Sequence, residues 1–425
     1  MTLVAPPGTG TTSTQTPARD RIPSRWRTST YTAALRHALE RPLTSYYLLL
    51  GAAALLLVIG LIMVLSSSSV YAYERIGDSY AIVKRQLLWV ALALPAAFIA
   101  SRVTERWVRR LAYPAFSVSL VLLLLTSLIG VERNGNTNWL AVGPVEIQPS
   151  EIAKLSLVIW AGHIYANKDR RLGNLHQLMV PVVPGMLLAI GLVVAGRDLG
   201  TALVLFAILV GMLWVVGAPL RLFALVTSVV GVAFFAMATT DSERLGRITG
   251  FLDPFQDYTG TGWQPAHGLY AISSGGLFGE GIGASQQKWG TLPEAHTDYI
   301  FAVLGEELGL AGTLLVVGLF LTIAYAALRV ARTTANPFVR YTTFGIVVWL
   351  LGQMIVNVGM VLALLPVIGI PLPLVSYGGS SLLPTMAALG LLVGFARREP
   401  AAARALAARK RSRSGGVAGG RVGRR

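Results

Sequence analysis

The chain has 425 residues, of which 54% are hydrophobic and 13% charged, with a net charge of +16 and no cysteine. Soluble domains carry about 25% charged residues, so this composition excludes an ordinary soluble enzyme and indicates a polytopic membrane protein. The missing cysteines exclude disulfides, thiolate metal sites and a cysteine nucleophile.

Residues 1–45 read as a disordered, Arg-rich cytoplasmic tail. No apolar stretch with a small-residue cleavage site follows directly, so a cleaved signal peptide is not expected. Ten apolar spans come next, at 46–65, 86–101, 113–130, 152–167, 178–195, 199–217, 222–239, 299–328, 341–365 and 381–396. The fold class is therefore all-α and polytopic, with about ten transmembrane helices spanning 46–396. The second and fourth spans are short for a crossing. The eighth is long, with Gly305 and Gly309 as places where it would break.

Placing the N-terminus inside puts 27 of the 36 Lys and Arg residues in the inner segments 1–45, 102–112, 168–177, 218–221, 329–340 and 397–425. That bias sets both termini in the cytoplasm. The basic charge is thus a topology signal, and nucleic-acid binding is not expected, because no aromatic-interleaved basic groove is present. The basic low-complexity tail 397–425 suits anionic membrane lipid or a partner.

Three segments then meet on the outer face: 131–151, the large extracytoplasmic loop 240–298 between helices 7 and 8, and 366–381. None shows obvious regular structure by pattern. The run 267–284, HGLYAISSGGLFGEGIGA, reads as a helix lying at the interface.

The stretch Lys288–Leu310 gathers Glu294, His296, Asp298, Glu306 and Glu307 beside apolar sequence. Carboxylates at a bilayer edge are costly and mark functional sites. Asp298 opens the eighth helix, so it is either a helix-dipole cap or a general base whose pKa is tuned by burial. Glu294 and His296 are candidates to orient it or to hold a divalent cation, although no ligand spacing defines a metal site. Glu151 and Lys154, three apart on one helix face, are a structural ion pair or a charged wall for an anionic substrate. Arg197 and Asp198 occupy a short turn, either solvated or facing the same cavity.

Arg244, Arg247 and Lys288 are among the few basic residues outside, and diphosphate recognition is one reason for their presence. The glycines at 275–283 are turn and packing residues or a backbone approach to phosphate. Gln353 and Asn357 are expected to hydrogen-bond to neighbouring helices. Ser376, Gly378 and Gly379, with Pro371 and Pro373, form a rigid loop suited to wall or gate a groove. No serine-hydrolase or zinc-protease signature occurs.

The blocks NWLAVGPVEIQPSEIAK (138–154), FLDPFQD followed by GWQ (251–264), SSGGLFGEGIGASQQKWGTLPEAHTDYIFAVLGEELGL (273–310) and LPVIGIPLPLVSYGGSS (365–381) resemble the signature blocks of the SEDS family, the shape, elongation, division and sporulation proteins of bacteria. The Arg-rich N-terminal tail, the SSSS after the first span and the ERNGNTNWL loop resemble the division branch more than the elongation branch. The resemblance implies a peptidoglycan glycosyltransferase that polymerises lipid II on the outer face of the bacterial cytoplasmic membrane, at the septum. It places the family's catalytic aspartate at Asp298. Beside it, Glu151, Lys154, Arg244, Arg247, Lys288, Glu294, His296, Ser376, Gly378 and Gly379 are the substrate-binding candidates read from the residues themselves, and Mg2+ or Mn2+ is a candidate cofactor. The implied partners are a class B penicillin-binding protein, the division transpeptidase, and other divisome proteins. The chain departs from the family at Gly196-Arg197-Asp198, where Gln-Pro-Asp is common. A lipid II flippase is the competing reading, and a structural scaffold a third.

Overall fold

The computed structural model describes residues 2, 41–133, 136–143, 145–239, 246, 251 and 253–408. Arg244 and Arg247 lie outside the described residues, as do most of both tails. Twelve helices are numbered here: α1 Thr44–Ile76, α2 Ala81–Arg102, α3 Glu105–Ile129, α4 Pro149–Asn167, α5 Leu175–Met179, α6 Val182–Ala195, α7 Leu199–Val215, α8 Leu220–Thr239, α9 Trp263–Ser274, α10 Ile300–Thr333, α11 Pro337–Val361 and α12 Leu382–Arg398.

Each of the ten expected spans falls on one of these helices, with α5 and α6 sharing one. Among the described residues, seven helical segments are long and apolar enough to cross a membrane: α1, α2, α3, the α5–α6 unit, α10, α11, and α12 with its leading turn. Helix α7 is apolar but shorter, at 17 residues, and α8 is apolar over Leu220–Val232. In lipid a helix satisfies every main-chain group internally, so continuous apolar sequence suffices to specify it.

Helix α10 packs against α1 and α11, α4 against α3 and α11, and α12 against α2. The α12–α2 contact is close because Gly390 and Gly394 present no side chain to the main chain at Ala97 and Ser101.

Residues 131–147, expected as an irregular loop, form a three-stranded antiparallel meander. Its strands are β1 Val131–Arg133, β2 Asn136–Val142 and β3 Val145–Ile147. Trp139 lies opposite Val131, and Leu140 opposite Ile147. Thr137 N–H donates to the Gly196 carbonyl at 2.9 Å, which ties the meander to the turn before α7.

The interfacial helix expected over 267–284 stops at Ser274. Gly276, Gly279, Gly281 and Gly283 all adopt positive φ, a region that glycine enters freely and that ends a helix. The released strand serves α10. That helix breaks at Gly309, where φ is 66° and ψ −166°. The break frees main-chain groups on both sides, and residues 276–281 take them up. Glu280 N–H donates to the Glu306 carbonyl at 2.9 Å and Gly281 N–H to the Glu307 carbonyl at 3.1 Å. Leu310 N–H donates to the Gly276 carbonyl at 2.9 Å and Ala311 N–H to the Leu277 carbonyl at 3.0 Å. A side chain at Gly279 would strike the Glu307 carbonyl, so only glycine permits this approach.

Candidate functional site

Asp298 sits in the turn that leads into α10, and Tyr299, not Asp298, occupies the cap position. Asp298 therefore does not cap α10. The Glu294 carbonyl accepts from the N–H groups of Thr297 and Tyr299, both at 3.1 Å, which makes the turn. Glu294 itself has a φ of 55°. Its carboxylate accepts from the Thr297 hydroxyl at 2.6 Å.

The Asp298 side chain is partly exposed and accepts no hydrogen bond among the described residues. Dense protein around it raises its pKa to about 7, first through burial and then through the negative charges of Glu294 and Asp198. An unbonded carboxyl that titrates near neutrality is what general-base chemistry at physiological pH requires.

Three elements hold this group in place. Asn357 of α11 donates its amide to the carbonyls of Asp298 (2.8 Å) and Ile370 (2.7 Å). Gly369 faces the Asp298 carboxylate, where a Cβ would lie 3.3 Å from Oδ2. Gly200 lets α7 reach the Ile368 carbonyl. Asp198, just before α7, accepts from Asn138 (3.0 Å), Gln148 (3.2 Å), the Thr201 hydroxyl (2.8 Å) and the Thr201 N–H (2.9 Å). Asp198 thus faces the same region as Asp298, and four donors stabilise its carboxylate. Arg197, beside it, has a φ of 62°.

The His296 ring lies against Tyr71 and Tyr377, with centroids 5.1 and 5.9 Å away, and its carbonyl accepts from Tyr377 N–H at 2.9 Å. Burial lowers its pKa, while Glu294 opposes that shift, so the imidazole is held toward its neutral form.

The remaining expected site residues form two separate groups. Lys154 donates to Glu151 at 2.6 Å, with both side chains buried, and its ammonium lies over the Trp349 ring. Glu151, Ser376 and Gly378 line one small cavity with Gln353, Pro371 and Thr385, which has room for about one water. The Ser376 hydroxyl accepts from Leu372 N–H at 2.8 Å, and Gly379 lies beside the Trp89 indole nitrogen. Lys288, expected to face a diphosphate, is instead buried and bonded to Glu307, Ser66 and the Gly283 carbonyl.

The sequence predicts a hydrogen bond from Gln353 to a neighbouring helix; among the described residues its side chain instead accepts from Trp349 within α11 at 2.6 Å. Asn138, Gln148, Ser66 and Tyr71 belong to the surroundings of the site yet carry no local signal, because their partners lie in other segments. Among the described residues, no group of three or more His, Asp and Glu side chains converges to hold a cation. Asp198 already has its donors, so a divalent ion beside Asp298 would need ligands beyond this set.

Residues 46–400 match the family model described as cell cycle protein, FtsW/RodA/SpoVE. The chain is 40% identical over 372 residues to the probable peptidoglycan glycosyltransferase FtsW of Mycobacterium tuberculosis, covering 87% of this chain and 71% of that protein. It is 36% identical over 347 residues to stage V sporulation protein E of Bacillus subtilis, covering 81% and 94%. Among solved structures, a chain from a peptidoglycan synthase complex that coordinates polymerization and crosslinking superposes with a TM-score of 0.67 at 28% identity, covering 83% of this chain and 97% of that one. The rod shape determining protein RodA of Thermus thermophilus superposes with a TM-score of 0.61 at 28% identity, with the same coverage.

Proposed function

The chain belongs to the cell cycle protein family of FtsW, RodA and SpoVE, and we propose that it is a peptidoglycan glycosyltransferase that polymerises lipid II with Asp298 as the general base. The observation that carries the role of Asp298 is its unbonded carboxyl, held at a pKa of about 7 by burial, Glu294 and Asp198. Near neutral pH such a group exists substantially as the carboxylate and is basic enough to draw a proton from a sugar hydroxyl.

In this mechanism Asp298 takes the proton of the acceptor GlcNAc 4-hydroxyl. That oxygen attacks the anomeric carbon of MurNAc on the growing chain. The bond from that carbon to the diphosphate oxygen breaks, and undecaprenyl diphosphate leaves with the electron pair. Asn357 and Gly369 set the position of the base, and His296 anchors the same turn against Tyr71 and Tyr377. A divalent cation, if it takes part, would offset charge on the leaving group.

The buried charges Glu151–Lys154 and Glu307–Lys288 neutralise each other within the bundle. That favours an enzyme over a flippase, which would need charged groups free to meet a head group through the depth of the bilayer. The chain is a multi-pass membrane protein by its family and its apolar helices. We assign it to the division septum, with a class B penicillin-binding protein as the transpeptidase partner. The synthase complex among its structural relatives supports a partner of that kind.

The test is polymerisation of purified lipid II by the protein with its transpeptidase, cross-linking blocked by a β-lactam. Wild type should make long glycan chains and Asp298→Asn none. No chains from either, with lipid II head groups crossing liposome membranes, would establish the flippase instead.

A further inference from the structure

We propose that Lys288, Glu307 and Ser66 are positioning residues, a buried three-way clasp that fixes the Asp298 loop onto α10 and α1. The role rests on the reading of Asp298 as the base.

The Lys288 ammonium has three protons and three acceptors: Glu307 Oε1 at 3.1 Å, Ser66 Oγ at 3.1 Å and the Gly283 carbonyl at 2.6 Å. The Ser66 hydroxyl donates to the same Glu307 oxygen at 2.6 Å. Lys288 is 6% exposed and Glu307 0%. An ammonium so saturated and so enclosed has no donor left for a phosphate.

The neighbouring carboxylate repeats the arrangement. Glu306 accepts from the Ser285 hydroxyl at 2.5 Å and from Gln286 N–H at 2.8 Å. Residues 285–288 are therefore fastened to consecutive carboxylates of α10. The chain then runs through 289–299 and rejoins the same helix at Ile300. Thr291 and Leu292 fold back onto the Gln287 carbonyl, at 2.8 and 3.0 Å. The segment that carries Asp298 is thus closed on α10 at both ends, and Ser66 extends the lower fastening to α1. A buried ion pair of this kind adds less to stability than to the uniqueness of an arrangement, because desolvation offsets its attraction.

The experiment compares wild type, Lys288→Arg and the double variant Lys288→Met/Glu307→Leu, each full length with its transpeptidase partner. The double variant removes both charges together and creates no new unpaired one, so it should fold and melt close to wild type. Amide hydrogen exchange over 285–298, recorded without lipid II, should be faster in the double variant. Its kcat for lipid II should fall about 10–100-fold with KM within about twofold, as for a misplaced base. The pH midpoint of its rate should move to lower pH as Asp298 loses burial. Lys288→Arg should restore most of the kcat and the slow exchange.

A raised KM with unchanged kcat and unchanged exchange would make Lys288 a substrate ligand and overturn the clasp. Unchanged exchange in a folded double variant would overturn it whether or not the enzyme polymerises. Wild type without polymerase activity but with the expected exchange change would remove the role of Asp298 and leave the clasp standing.

Discussion

Asn357 donates its side-chain amide to the main-chain carbonyl of Asp298 at 2.8 Å. The same amide nitrogen serves the Ile370 carbonyl at 2.7 Å, so one residue of α11 joins the turn of the base to the loop that faces it. Asn357→Leu removes both donors and strands two carbonyls. It should cost about 2–6 kcal/mol of stability, at roughly 1–3 kcal/mol for each stranded group. Polymerisation should fall more than the melting temperature explains; a variant with wild-type kcat would show that the join does not position Asp298.

Asp298 carries a stability cost of known sign. Its carboxyl titrates at about 7 in the folded protein against a usual value of 3.8. Between those values the folded state holds a proton that the unfolded chain has released. Stability therefore falls as pH rises from about 4 to about 7 and stays reduced above that. Asp298→Asn should melt higher than wild type at pH 8, by up to about 4 kcal/mol, and no higher at pH 4. The same variant should lose about 10²–10⁴ in polymerisation rate. Thermal melts at the two pH values, beside the rate assay, check both halves.

A base works ionised, so the rate of glycan formation should climb with pH through about 7. After burial, the Glu294 charge raises this value more than that of Asp198 does. Glu294→Gln removes that charge and should move the rising limb to lower pH without abolishing activity. Initial rates across pH 5–9 read the shift, and an unmoved midpoint would mean that Glu294 does not act on Asp298.

The Glu151–Lys154 pair is buried on both sides, at 2.6 Å. Lys154→Met alone leaves a buried carboxylate unpaired and should cost about 3–5 kcal/mol. Glu151→Gln/Lys154→Met should recover most of that loss. Melting temperatures of the single and double variants decide it; if the double melts no higher than the single, the pair is held by something other than mutual neutralisation.

The helices were legible because lipid forces each span to be continuous and apolar, and α1, α10 and α11 read directly as such runs. Asp298 was legible because a carboxylate beside apolar sequence is rare and the PEAHTD block is distinctive. The β meander was not. Its strands are short, and their pairing is main-chain hydrogen bonding that composition does not report. Lys288 was misread for a related reason. Its position suggested an outward cation, yet its partners Glu307 and Ser66 come from α10 and α1. The sequence leaves Asp198 either solvated or facing the cavity, because its donors Asn138 and Gln148 come from segments that sequence order keeps apart.

The mended break in α10 has a genetic consequence. All four bonds across it run between main-chain groups of 276–281 and 306–311. Exchanging the side chains of Glu280 or Leu310 for alanine deletes none of those bonds, so an alanine scan would register the seam only through its glycines, Gly279 and Gly309, where an added Cβ meets main chain. Proline is the substitution that removes an N–H. A proline scan should therefore show sharp intolerance at 280, 281, 310 and 311, and so map the four donors of the joint one by one.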